Sequence, residues 1–165
     1  MWWMLAAAFA EPPKNVVLAD LGLHVIGLGY QRTVAPRLAL QGDLDLWVPW
    51  TSGNYGIGAL AGTSDVAGMM LRFRPVWHMT GDAPTGLWLS PVAQAGPVTA
   101  TRAGEKVFGV GGSVGMNVGY SGVVAQHLFL SIGGGAQVHG AWIGRGRPSF
   151  IGVWPNVDAT IGYAW

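Results

Sequence analysis

The chain has 165 residues, enough for one domain with its own core, and a formal net charge of +1 that offers nucleic acid no footing. Charged residues make up 10% and hydrophobic residues 50%, with 9 Trp and 27 Gly, whereas ordinary soluble domains are about 25% charged. With 0 Cys, thiol nucleophiles, thiolate zinc sites and disulfides are excluded together.

The opening "MWWMLAAAFA" is shorter than the roughly 20 apolar residues a spanning helix needs. Ala8-Phe9-Ala10 before Glu11 has the A-x-A form of a secretory cleavage site. Residues 1–10 are therefore expected to be a signal-peptide remnant, and residues 11–165 the folded domain. No basic region precedes the apolar run, so the start would lie inside a longer signal. The alternative is a retained apolar extension. The next apolar stretch, "VVLADLGLHVIGLGY", is interrupted by Asp20, His24 and glycines, so it is no spanning helix either.

A chain this apolar without a spanning helix points to a closed β-barrel, the other architecture that satisfies every backbone group in lipid. Its mark is alternation at period two, and segment after segment shows it. Residues 15–34 divide near Gly22 into two strands, and "VAPR" is a short turn. In 38–48, Leu38, Leu40, Leu44, Leu46 and Val48 oppose Ala39, Gln41, Asp43, Asp45 and Trp47. In 65–74, Ala67, Met69, Leu71 and Phe73 oppose Gly68, Met70, Arg72 and Arg74. "FRPVWHMTGDAPTG" reads as a connection, and 86–97 as the least regular strand, because Pro91 and Pro97 break its ladder. In 107–120, Phe108, Val110, Val114, Met116, Val118 and Tyr120 oppose glycines, Ser113 and Asn117. "YSGVVAQ" is another short connection. In 127–139, Leu128, Leu130, Ile132, Ala136 and Val138 oppose His127, Ser131, Gln137 and His139. The final strand sets Val157, Ala159, Ile161, Tyr163 and Trp165 against Asn156, Asp158 and Thr160. The stretches 49–63, 98–106 and 141–154 are expected to be surface loops, and alternating short and long connections require an even count of about eight strands.

The direction of the pattern selects the kind of barrel. Asp43, Asp45, Arg72, Arg74 and Asp158 share the faces opposite the apolar ones, and in lipid each would cost a few kcal/mol. The expected fold is thus all-β: a closed antiparallel eight-stranded transmembrane β-barrel, apolar outside and polar or Gly-rich inside.

"GLGYQRTVAPRLALQGDLDL" is similar to the opening hairpin of poorly characterised OmpA/OmpX-like barrel families of Gram-negative bacteria, and "VDATIGYAW" resembles their C-terminal assembly signal. The resemblance implies integral outer-membrane localisation and contact with outer-membrane lipid. It also implies recognition of Ile161, Tyr163 and Trp165 by the barrel-assembly machinery. A monomer is expected.

Chemistry beyond the barrel is sparse. No phosphate loop, HExxH or G-x-S-x-G occurs, and "GVGGSVG" and "IGGGAQ" fit small inward residues of a tight lumen better than a dinucleotide fingerprint. His127 and His139 lie about 40 Å apart at strand rise, too far for one site. His24 with His139 near the outer rim stays open as a metal or acid–base pair, but no metal, cofactor or catalytic residue is expected. Asp43, Asp45, Arg72 and Arg74 form either an ion-pair network filling the lumen or a constriction selecting small ions. Tyr30, Trp50, Trp77, Trp88, Tyr120, Trp142, Trp154, Tyr163 and Trp165 read as interfacial girdles. Arg145 and Arg147 in "WIGRGRPSF" are candidates for lipopolysaccharide phosphate. The favoured function is a structural or surface-interaction barrel, working through its loops. The alternative is a narrow channel. A lipid-modifying enzyme, an activity that eight-stranded barrels do carry, ranks below both, because the outward faces hold almost no polar group and "HLFLS" does not match the His-x-Ser of the deacylases.

Overall fold

Period-two alternation is realised as eight strands: β1 (Asn15–Leu21), β2 (Val25–Ala35), β3 (Leu38–Trp47), β4 (Ser64–His78), β5 (Gly86–Arg102), β6 (Glu105–Val124), β7 (Leu128–Ile143) and β8 (Phe150–Ala164). The structure is a computed structural model that describes residues 12–23, 25–47, 64–143 and 150–165. Each strand pairs antiparallel with its sequence neighbours, and β8 returns to β1 to close the ring. Closure pairs the first strand with the last, so that neither stands as an open edge strand.

The seam is tightly knit. Val16 to Asp20 pair with Ala164 to Thr160, and beyond them Asn15 and Trp165 exchange both backbone hydrogen bonds at 3.0 Å. The turns between β2 and β3, β4 and β5, and β6 and β7 share one end with Lys14 and Trp165. This is the turn side. The other four connections leave from the opposite end, the loop side.

The two faces sort as the alternation demands. Leu28 (70% exposed), Leu71, Phe108, Val114, Ile132 and Val153 stand outward, while Asp20, Asp43, Asp45, Arg72, Arg74, Asn117 and Asp158 are buried within. A soluble barrel would sort them the other way.

Several strands run further than their sequence suggests. Residues 98–106 form no surface loop: β5 reaches Arg102, β6 starts at Glu105, and Ala103 (φ 50°) and Gly104 (φ 86°) make a two-residue turn. Two successive positive φ values match the right-handed twist of the flanking strands. Within "YSGVVAQ" β6 continues to Val124 before Ala125 (φ 50°) and Gln126 (φ 73°) turn the chain. β4 extends through "FRPVWH" to His78, and the strands take back 141–143 and 150–154 from the expected last loop.

The prolines of β5 interrupt only one ladder. Pairing with β6 is continuous from Gly86↔Ser121 to Arg102↔Glu105. On the β4 side it lapses between Gly68↔Val98 and Leu71↔Ala95, around Pro97. It lapses again between Phe73↔Ala93 and Trp77↔Leu89, where Pro75 comes level with Pro91. A proline lacks one N–H, so it disables the ladder on the side that N–H would have served.

Candidate functional site

The buried polar side chains converge in the interior, which is built in three tiers. The middle tier follows from strand register. β3 and β4 pair with Asp43 opposite Arg72 and Gln41 opposite Arg74, so inward charges of opposite sign lie side by side. Arg72 is the hub. Its Nε donates to Asp43 Oδ2 at 3.2 Å and lies 3.1 Å from Asp45 Oδ2, and its Nη2 pairs with Asp20 of β1. Gln41 Nε2 donates to the other Asp43 oxygen at 2.8 Å. Arg74 reaches across the lumen to Asp158 of β8, which Asn117 Nδ2 also approaches at 3.4 Å. All these side chains are buried.

Asp20, which the sequence offered only as an interruption, belongs to this network. Its parity with Val16 and Leu18 was the signal, obscured because those inward neighbours are apolar. Four carboxylates (Asp20, Asp43, Asp45 and Asp158) face two guanidinium groups (Arg72 and Arg74). Among the described residues, no group of three or more His, Asp or Glu could hold a metal ion.

The turn-side tier is aromatic and hydrogen-bonded. Trp88 is 1% exposed, so it is not a girdle residue. Its Nε1 donates to Ser131 Oγ at 3.1 Å, and the Arg74 guanidinium lies 5.2 Å from its ring centroid. This cation–π contact joins the two tiers. Gly119 and Gly133 make room for the indole: a Cβ on either would come within 2.4–2.5 Å of its ring atoms. Two of the mid-strand glycines, Gly119 and Gly133, thus have an assigned occupant. The inward parity of Trp88 with Ser90, Val92 and Gln94 marked it in the sequence, but its place near a strand end suggested anchoring.

Below Trp88 the β4–β5 turn folds into the barrel mouth. Ala83 is buried against Ala39, Val76 and Trp88. Ser121 Oγ donates to Pro84 O at 2.7 Å, Ala83 N to Pro36 O at 2.8 Å, and His78 N to Arg37 O at 2.8 Å. His78 Nδ1 lies 3.0 Å from Thr85 O. Val16, Leu18, Phe129 and Ala164 form a separate buried cluster at the seam.

The loop-side tier is aliphatic. Val25, Met70, Val98, Ala100, Ala141 and Ile143 form one buried cluster, with Val107 against it. His139 is buried on this side. His127 does not share its face: it lies exposed in the β6–β7 turn, stacked on Tyr163 with ring centroids 5.0 Å apart. Ile161, Tyr163 and Trp165 are all exposed on the outer wall. So are Tyr30, Trp77, Tyr120 and Trp142, whereas Trp154 is half-buried. Residues 1–10, His24, Trp50, the stretch 49–63 and the pair Arg145 and Arg147 lie outside the described residues.

Taken together, these features define a closed eight-stranded antiparallel β-barrel with an apolar exterior and a charged interior. The same fold occurs in the N-terminal β-barrel domain of Pseudomonas aeruginosa OprF, to which this chain is similar with a TM-score of 0.52. The likeness covers 94% of this chain and 100% of that one at 10% sequence identity, so it is one of fold. No protein-family model and no curated protein matches the sequence.

Proposed function

We propose that the chain is an integral outer-membrane β-barrel with a structural or surface-interaction role exercised through its loop side. The observation that carries this reading is the pairing of an apolar wall with an interior of buried charged, aromatic and aliphatic side chains. The likeness to the OprF barrel domain supports the same class. A narrow channel is the second reading, because charged side chains line the middle tier. An ion path would have to cross the aliphatic cluster at one end and the folded-in turn at the other, and dehydrating an ion there is expensive.

The deciding experiment is planar-bilayer recording on the full chain, with insertion verified by heat-modifiable gel mobility. The structural role expects inserted protein without lasting conductance steps. Stepwise conductance that scales with salt would establish the channel instead.

On the loop side, Arg145 and Arg147 contact lipopolysaccharide phosphates through bidentate guanidinium bonds. Replacing both with Gln should reduce lipopolysaccharide co-purification and its salt sensitivity. Equal retention across a salt series would remove this part of the proposal. Ile161, Tyr163 and Trp165 present the signal read by the assembly machinery. Tyr163→Ala with Trp165→Ala should lower the amount of folded barrel in outer-membrane fractions, and unchanged levels would count against it.

A further inference from the structure

Toward the turn side, the outer wall carries a feature that an apolar, lipid-facing surface does not require. The outward positions of β2 are Ile26, Leu28, Tyr30, Arg32 and Val34, and all five are exposed. Arg32 is therefore a cation on the wall itself, with Val34 still beyond it toward the turn. Neither Arg32 nor Arg37 at the hairpin tip has a carboxylate partner among the described residues.

Its surroundings are an aromatic patch assembled across the barrel seam. Asn15 of β1 pairs with Arg32, and Val17 pairs with Tyr30 on one side and Tyr163 on the other. The Trp165 ring lies 6.1 Å from Tyr163 and 6.5 Å from Tyr30. Tyr30 donates its hydroxyl to Asn15 Oδ1 at 2.7 Å, which orients the ring beside Arg32. His127 extends the row by stacking on Tyr163.

We propose that Arg32, assisted by Arg37 and bounded by Tyr30 and Trp165, binds the phosphate of a glycerophospholipid in the leaflet at the turn side. This rests on the membrane reading above. A ligand here must match two demands at once: an anion for the guanidinium and an apolar body for the wall around it. A phospholipid meets both. Arg32 lies three residues from the end of β2, about 10 Å along the strand and less along the membrane normal because barrel strands tilt. A guanidinium on a flexible stem bridges such a depth by snorkelling to the headgroup level. Tyr and Trp rings favour that same level. The planar fork then takes two phosphate oxygens together, as an ammonium does not. Lipopolysaccharide phosphate shares the chemistry, but in this reading it occupies the leaflet at the loop side.

The test uses the full chain refolded in detergent, with native mass spectrometry counting bound phosphatidylethanolamine, phosphatidylglycerol and lipid A. Wild type should retain one phospholipid, and Arg32→Gln should bind it about tenfold more weakly, the loss expected for one charged hydrogen-bonded contact. Arg32→Lys should fall between them. Lys106→Gln, an exposed charge change at the loop side, should leave retention unchanged. Heat-modifiable mobility of every variant verifies that the barrel is folded. Equal phospholipid retention by wild type and folded Arg32→Gln would overturn the assignment. A loss confined to lipid A would overturn the choice of lipid and leaflet. Failure of wild type to insert into vesicles at all would instead strike the membrane reading, so the two failures are distinguishable.

Discussion

The two ends of the barrel interior are closed by different means. At the loop side, Val25, Met70, Val98, Ala100, Ala141 and Ile143 fill the ring with aliphatic side chains. At the turn side, a single indole is held by a hydroxyl, a guanidinium and two glycines, and a turn is pinned beneath it. Aliphatic packing tolerates repacking at constant volume. The indole does not, because its hydrogen bond, its cation and its space are all specified separately. The site around Trp88 is therefore expected to tolerate substitution less well than the aliphatic cluster at the loop side.

The largest expected effect lies between the two ends. Arg72→Leu leaves Asp20, Asp43 and Asp45 without their shared cation, and breaking a buried pair costs about 3–5 kcal/mol. Urea unfolding in detergent should show that loss. An unchanged midpoint would mean that water reaches the network, which would favour the channel. The comparison itself is sharpened by Trp88→Ala against Met70→Leu. Deleting the indole should cost about 3–5 kcal/mol. The near-isosteric change at the loop side should cost less than about 1.5 kcal/mol. Equal losses in the same unfolding assay would erase the distinction between the ends. A single added methyl, Gly133→Ala, tests the space around the indole, since its Cβ would press on the Trp88 ring at 2.5 Å and on Val118 O at 2.8 Å. It should destabilise by about 1–3 kcal/mol as an overpacking change, and combining it with Trp88→Leu should be less harmful than the two separate losses predict. Strict additivity would mean that the glycine serves the backbone and not the indole.

What the sequence disclosed depended on whether one physical signal acted alone. Alternation in β3, β4, β6 and β7 was unopposed, and with the charged faces it gave the strands, the closed eight-stranded ring and its apolar exterior. The hairpin at 103–104 was missed because its turn uses Ala103 where Asn, Asp or Gly is the usual mark of positive φ, and because Pro97 nearby suggests a loop. The opposition of Asp43 to Arg72 needed only strand neighbourhood and register. The reach of Arg72 to Asp20 and of Arg74 to Asp158 runs between strands distant along the chain or across the lumen, and period two carries no such information. For Trp88 two rules compete, parity pointing inward and position near a strand end pointing to the interface, and the structure follows parity.

The mutual hydrogen bonds of Asn15 and Trp165 mean that the seam between β8 and β1 is, in hydrogen-bond terms, one more hairpin awaiting its turn. A ring of this kind has no privileged starting strand. A short linker from Trp165 to Lys14, with new ends opened at Ala103-Gly104, would keep every pairing while moving the terminal aromatics into the middle of the polypeptide. Such a circular permutant would separate closure of the cylinder, which β8 performs by pairing with β1, from the assembly signal proposed for Ile161, Tyr163 and Trp165. Spontaneous refolding in detergent should survive the rearrangement, and an unchanged amount of folded barrel in cells would show that the signal proposed for β8 also works within the chain.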